Sequence, residues 1–305
     1  ALPKKLVKLL KNQPGFWDLP ELPEIGTPLS QSGLIAKTQR EFSERFGAKG
    51  CFFGVNGASG LIQSAVIAMA KPGETILMPR NVHISVVKIC AMQNIHPIFF
   101  DLDFSSETGH YKPITKIWLE NVFKKINFNE KKIVGVILVS PSYQGYAGDL
   151  EPLIDLCHQK NLPVLIDEAH GSYFLFCENL NLPKSALVSN ADLVVHSLHK
   201  SLNGLTQTAA LWYKGNLVNE HNLINSINLL QTTSPSSLLL SSCEESLKDW
   251  LNKKSLSKYQ KRILEAKSIY KKLIQKNIPL IETQDPLKII LNTSKAGIDG
   301  FTADK

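Results

Sequence analysis

A chain of 305 residues with 43% hydrophobic composition can bury a sizeable core, and its length suits one large α/β domain or two modest ones. That composition excludes a disordered or fibrous chain. The net charge of +7, from 34 Lys and Arg against 27 Asp and Glu, makes a nucleic-acid surface worth testing against where the charge lies.

In chain order, the residues before Ser30 carry Pro14, Gly15, Pro20, Pro23, Gly26 and Pro28 and read as an irregular arm. From about Cys51, short β-rich apolar runs alternate with amphipathic segments of helical length. This is the pattern of an α/β protein with a mostly parallel sheet covered by helices on both faces. The runs predict strands over Cys51–Val55, Thr75–Met78, Pro97–Asp101, Ile133–Ser140, Val164–Asp167, Leu193–His196 and Ala209–Tyr213. Helices are predicted near Gly60–Ala70, His83–Gln93, Ile114–Lys125 and Leu150–Gln159, several bounded by Pro or Gly. Much of the positive charge falls between Lys248 and Lys276, where Leu256, Ile263, Leu264, Ile269 and Leu273 recur at helical spacing. That predicts one long helix with a solvated basic face, and no aromatic-rich basic groove argues for nucleic acid. The five cysteines, Cys51, Cys90, Cys157, Cys177 and Cys243, form no C-x-x-C pair and read as reduced core residues. No stretch approaches the roughly 18 uninterrupted apolar residues of a membrane span, and Ala1–Lys11 lacks a signal peptide's apolar segment and cleavage site. A cytoplasmic protein with no membrane partner is expected. The missing initiator Met and the polar ending at Lys305 suggest an excised piece.

In open α/β sheets ligands collect at the carboxyl ends of the strands, and three constellations fall there. Asn56-Gly57-Ala58-Ser59-Gly60 joins a strand to a helix. Such a turn presents backbone N–H groups and a positive dipole end to an anion, and Ser59 adds a hydroxyl; a plain tight turn is the alternative. It is not a Walker loop, since no Gly-Lys-Ser/Thr follows, nor a hydrolase elbow, since Leu61 stands two residues after Ser59. Next, the apolar run Val164–Ile166 ends in Asp167-Glu168-Ala169-His170. A carboxylate at the end of a buried strand needs a cationic partner, and a protonated pyridine nitrogen would serve. The same letters occur in a helicase box, but that box needs an upstream lysine-bearing phosphate loop, which is missing. Third, Leu193–Val195 runs into His196-Ser197-Leu198-His199-Lys200. Partial desolvation there would lower the Lys200 pKa and make its amine nucleophilic toward an aldehyde. His196 and His199 could instead bind zinc, but no third ligand has motif spacing and Lys200 would repel the ion, so no metal is expected.

A phosphate turn, then a ring-pairing Asp, then an imine-forming Lys on successive strand ends is the order shown by fold type I pyridoxal-phosphate enzymes. More closely, the chain resembles the Orn/Lys/Arg decarboxylase family, in the segments Phe52–Gly60, Met78–Val86, Leu138–Gly145, Pro163–Gly171, Ala191–Gln207 and Leu229–Pro235. The run His199-Lys200-x-Leu-x-x-Leu-Thr-Gln is its most specific element. Many aminotransferases of this fold place Ser, not His, before the lysine, so His199 favours the decarboxylases.

The resemblance implies pyridoxal 5′-phosphate as cofactor, a Schiff base at Lys200 and pairing of Asp167 with the pyridine nitrogen. It implies that His83 stacks on the ring, that Ala58, Ser59, Gly60 and Ser197 hold the phosphate, that His199 lies near the reacting carbon or the phosphate, and that His170 lies near the ring. Lys200, His199 and Asp167 would be catalytic, with Lys200 or His199 returning a proton to the substrate Cα. The implied reaction is decarboxylation of lysine, arginine or ornithine to the amine, in polyamine metabolism, by a homodimer or higher homo-oligomer. Ser234 and Ser236 fall in a segment expected to reach a neighbouring subunit's site. The implied division is an arm over 1–30, a cofactor-binding large domain over 31–285, and over 286–305 the start of a small C-terminal domain that is otherwise absent. An aminotransferase or aldolase of the same fold is the competing enzyme reading, and a non-catalytic cofactor-binding or assembly remnant is the other alternative.

Overall fold

The computed structural model describes residues 2–11, 19–128, 131–177 and 180–304. Pro14 and Gly15 of the expected arm lie outside them. The elements run α1 (Lys4–Leu10), α2 (Gly33–Arg45), β1 (Gly50–Gly54), α3 (Gly57–Met69), β2 (Thr75–Pro79), α4 (Ile84–Met92), β3 (His96–Phe100), β4 (Phe104–Ser105), β5 (His110–Tyr111) and α5 (Lys116–Lys124). They continue with β6 (Ile133–Val139), α6 (Glu151–His158), β7 (Val164–Asp167), β8 (Leu193–Ser197), α7 (Leu198–Ser201), β9 (Ala209–Tyr213), α8 (Glu220–Leu230), α9 (Ser237–Leu251), α10 (Lys253–Gln275), β10 (Leu280–Ile281), β11 (Ile290–Leu291) and α11 (Gly300–Ala303).

One seven-stranded sheet, ordered β1-β9-β8-β7-β6-β2-β3, organises the chain. Its strands read as nearly unbroken apolar runs because both faces are covered: β2, β7, β8 and β9 are buried at every position. Alternate side chains serve opposite layers. Ile76, Met78, Ile137, Leu165, Leu193, Val195 and Leu211 pack under α3, α4 and α8, whereas Leu77, Val136, Leu138, Ile166, Val194 and Trp212 face α2, α5, α6 and α9. The expected α/β class with a mostly parallel sheet is the class observed. The β2–β3, β2–β6, β6–β7 and β7–β8 pairings are parallel, and β9 runs antiparallel to both β8 and β1. This reversal brings the start of β9 to the edge where β1 and β8 end, with Ala209 facing both Gly54 and Ser197.

Two expectations are corrected. The arm is not wholly irregular, because it contains α1, whose Leu6 is fully buried and whose Lys5 reaches Glu245 of α9 at 3.7 Å. The long basic helix is found as α10, which holds Leu256, Ile263, Leu264, Ile269 and Leu273, but it starts at Lys253, so that Lys248 belongs to α9. Asn252 ends α9 and caps α10, its Oδ1 accepting from Lys254 N (3.1 Å) and Ser255 N (3.3 Å), a boundary that needs neither Gly nor Pro. All five cysteines are buried and unbridged. Among the described residues no helix is long and apolar enough to cross a membrane.

Candidate active site

The carboxyl ends of β1, β7 and β8 converge on one pocket, whose walls include Ala58, Ser59, His83, Asp167, His170 and Lys200. The turn after β1 opens α3 with Gly57 at φ +72°, a left-handed conformation that glycine adopts at no steric cost. Its N–H donates to the Gln207 carbonyl (2.8 Å). No side chain caps α3, since Asn56 instead donates its amide to the Leu230 carbonyl at 3.4 Å. The first turn of a 13-residue helix therefore points uncapped N–H groups and a positive dipole end at the pocket, a ready seat for an anion. Gly60 permits close packing there, because a Cβ would stand 2.8 Å from Gln231 Nε2.

Asp167 ends β7 and is 7% exposed. Among the described residues the one hydrogen-bond donor to its carboxylate is Ala169 N, at 3.1 Å. Burial raises its pKa, against the pull of that N–H and of the Lys200 and His83 charges. A buried carboxylate with so little compensation asks for a cation from the pocket. Lys200 stands across the pocket on α7, exposed at its mouth. Partial desolvation lowers its pKa and the Lys288 charge lowers it further, while Asp167 opposes them. Its Nζ lies 3.2 Å from His170 Nε2. Burial, and then the charges of Lys200, Lys288 and His83, hold His170 down at about 4. The ring is thus neutral near neutral pH, and because Nε2 accepts from the lysine, Nδ1 carries its proton. His83 caps α4, with Nδ1 accepting from Ser85 N at 3.2 Å.

A fully buried polar network underlies these strand ends. Glu168 and His196, 1% and 0% exposed, meet at 2.6 Å between Oε2 and Nε2. Glu168 Oε2 also accepts from Ser185 Oγ (2.7 Å), and Oε1 from Ala186 N (2.8 Å). Trp212 Nε1 donates to His196 Nδ1 at 2.9 Å. An indole N–H can only donate, so His196 Nδ1 is an acceptor and its ring proton sits on Nε2, toward Glu168. The network ties β7, β8 and β9 together directly behind Asp167, Ser197 and Lys200.

The remaining expected site residues lie off the pocket wall. Gly60 is one position further along α3. Ser197 is fully buried, with Oγ 3.2 Å from His199 Nδ1. His199 turns that nitrogen toward Ser197 and the Thr208 carbonyl (3.3 Å). Ser236 is used within the chain as the cap of α9. Asn81 and Tyr143 also line the pocket, and the sequence reading gave neither a role. Both fall in segments that carried the resemblance, which was the available signal. The Tyr143 ring meets His170 edge-on at 5.3 Å and lies beneath Lys288 Nζ at 5.4 Å. The segment bearing Lys288 is fastened to this rim, with Asp285 N donating to Gly145 O (3.0 Å) and Tyr173 Oη to Asp285 Oδ1 (2.5 Å). A larger groove between β3 and α5, walled by Ile98, Phe99, Trp118 and Val122, has Asp101 and Lys125 in its lining but no imidazole.

Comparison with known proteins gives a consistent set of relatives. The family described as Orn/Lys/Arg decarboxylase, major domain, matches residues 17–297. A Bacillus anthracis protein named arginine decarboxylase is 32% identical over 288 residues, covering 89% of this chain and 56% of the relative. A Bacillus subtilis protein of the same name is 32% identical over 295 residues, covering 90% and 56%. The chain thus spans little more than half the length of these relatives. Among solved structures, lysine decarboxylase A from Pseudomonas aeruginosa superposes with a TM-score of 0.73 at 19% identity, over 88% of this chain and 40% of that one.

Proposed function

The chain belongs to the Orn/Lys/Arg decarboxylase family, in its major domain, and from that premise we propose that it forms the cofactor-holding half of a pyridoxal 5′-phosphate-dependent basic amino acid decarboxylase. Its fold is the large-domain fold of fold type I pyridoxal-phosphate enzymes, as in the lysine decarboxylases. The observation that carries the reading is the pairing, across one pocket, of an under-compensated buried carboxylate (Asp167) with a lysine of lowered pKa (Lys200), beside an uncapped helix start.

These residues fit the cofactor. Ala58 and Ser59 at the start of α3 would hold its phosphate, with Gly60 and Ser197 supporting that turn from outside the wall. Asp167 would pair with its ring nitrogen, Lys200 would hold it through the amine, and His83 and His170 would flank the ring. When bound, the cofactor supplies an electron sink for the bond broken at the substrate Cα. The protein's part is electrostatic and positional. Asp167 would favour a protonated ring nitrogen, because an ion pair favours the charged form. Lys200, partly desolvated, holds an amine that is easier to deprotonate than an ordinary lysine. His199, fixed by Ser197 and Thr208, adds a polar group beside the phosphate seat. Arginine is the first substrate to test, because the relatives that share 32% identity carry that name; lysine and ornithine follow. We place the enzyme in the cytoplasm, in polyamine metabolism, as a homodimer or higher homo-oligomer.

The test is an absorbance spectrum of the protein with pyridoxal phosphate, before and after borohydride, beside Lys200→Ala. A visible band trapped covalently at Lys200 is expected in the parent alone, and its absence from the folded parent would refute the assignment. With arginine, lysine or ornithine, release of carbon dioxide and an amine marks decarboxylation, whereas a keto acid would mark transamination. Cofactor capture without turnover of any of the three amino acids would leave a binding or assembly role.

A further inference from the structure

The site holds two histidines that could serve Lys200, and the geometry separates them. His199 is adjacent in sequence, but its Nδ1 is engaged by Ser197 Oγ at 3.2 Å and the Thr208 carbonyl at 3.3 Å. His170 is thirty positions away in sequence, yet its Nε2 lies 3.2 Å from Lys200 Nζ. We propose that His170 is the catalytic proton acceptor of Lys200, its Nε2 removing the proton that keeps the amine from acting as a nucleophile. This rests on the reading of Lys200 as the amine that captures the cofactor's aldehyde.

The step balances within the two side chains. One Nζ–H bond breaks and its electron pair stays on the lysine nitrogen; the proton forms an Nε2–H bond, and the resulting imidazolium releases its Nδ1 proton to solvent from a half-buried ring. The groups facing the ring are Lys200 on α7, His83 at the start of α4, Lys288 on the segment before β11 and the Tyr143 ring after β6, while Asp167 at the end of β7 acts on Lys200. Burial first, and then this mostly positive charge, keep the ring in its neutral form, with Nε2 facing Lys200. Part of what keeps it neutral is the Lys200 cation itself. Once the proton has moved, that one repulsion is gone, while burial and the Lys288 and His83 charges still push the imidazolium to pass its Nδ1 proton on to solvent.

The experiment follows capture of pyridoxal phosphate by the full chain in stopped-flow absorbance, with borohydride trapping and peptide mapping to identify Lys200. General-base assistance of this kind is worth roughly 100-fold or more. His170→Ala should slow capture by about that factor, with Lys200 still the residue that peptide mapping finds trapped. Added imidazole should restore the rate in proportion to its concentration, which loss of mere shape would not allow. His170→Gln, which can still accept a hydrogen bond but cannot carry the proton onward, should be as slow as His170→Ala and keeps the test open if the alanine variant fails to fold. His221→Ala, on the exposed face of α8, is the control for imidazole effects. Parent-like rates in both His170 variants, a loss that imidazole does not restore, or restoration seen with His199→Ala instead would overturn the proposal. Nitrogen-15 NMR of the cofactor-free chain gives a second test: His170 should show its ring proton on Nδ1, and a proton on Nε2 at neutral pH would contradict the assignment. If the parent captures no cofactor at Lys200, the reading of Lys200 falls first and the proposal with it. Capture without dependence on His170 removes the proposal alone.

Discussion

Glu168→Gln is nearly isosteric, yet the network behind the site gives it a calculable cost. In the parent, Oε2 of Glu168 accepts from both Ser185 Oγ and His196 Nε2, and Oε1 accepts from Ala186 N. In the variant the carbonyl oxygen can keep the Ala186 bond, which places the amide NH2 against the other two groups. Ser185 can rotate its hydroxyl and accept. His196 cannot, because Trp212 Nε1–H occupies Nδ1 and fixes the ring proton on Nε2. Two buried donors then face each other, a defect worth roughly 1–3 kcal/mol. With an unfolding entropy of about 2.1 cal/mol/K per residue, a cost near 2 kcal/mol lowers the Tm of a chain this long by about 3 °C. The stronger test is a double-mutant cycle with Trp212→Phe. Without the indole N–H, His196 can move its proton to Nδ1 and accept from the introduced amide, so Glu168→Gln should cost about 1–2 kcal/mol less in that background. Denaturant unfolding of the four proteins measures it. Equal costs with and without Trp212 would show that the tautomer is not fixed as argued.

Other consequences are testable in the same way. Gly215→Ala would put a Cβ 1.7 Å from Asp192 Oδ1, and Asp192 is held by Val164 N and His158 at 2.8 Å each; thermal melts should show a loss of roughly 1–3 kcal/mol or more. Asp167→Asn should raise the Tm of the cofactor-free chain at neutral pH, because the folded-state pKa is raised and the ionised carboxylate therefore opposes folding. The same variant should lose the stabilisation that added pyridoxal phosphate gives the parent. The folded His170 pKa, about 4, lies below the usual value near 6.5, so the unfolded chain takes up a proton first. The stability contributed by the neutral ring is therefore lost as pH falls from about 6.5 toward 4. His170→Gln should flatten that part of a Tm-versus-pH curve, and an unchanged curve would count against the buried neutral ring. Asn252→Ala should cost about 1 kcal/mol through loss of the α10 cap, read from helix unfolding by circular dichroism.

Much of the central sheet was legible because each strand is an apolar run stopped by a charged or turn-forming residue. Val164–Asp167 and Ala209–Tyr213 are found as predicted; β1 and β3 each lie one residue earlier, and the other strands shift by one residue at the carboxyl end. The direction of β9 was not legible, since alternation shows that a strand exists but not which way it enters the sheet. The break at Asn252 was missed because apolar residues continue at helical spacing on both sides of it. Helix α2 was missed too, although Ile35, Ala36 and Phe42 mark its buried side. At the site, Asp167, Lys200 and the α3 turn could be read locally, because each ends or follows a strand. The contact of His170 with Lys200 could not, because it depends on β7 and β8 lying side by side. Nor could the difference between Asp167 and Glu168, neighbours in sequence that face a pocket and a sealed network.

That difference makes the alignment of β7 with its neighbours a chemical variable as well as a mechanical one. Suppose a single residue were inserted within the strand. Ile166 would then take the station that faces the cavity, while Asp167 turned toward His196, too short to span the gap, and the ring proton on that histidine would lose its acceptor. Val164 N, held by Asp192, and Glu168 N, held by the Val195 carbonyl, pin the strand at its two ends against such a slip. The pins lie outside the pocket, yet they decide which side chain faces it.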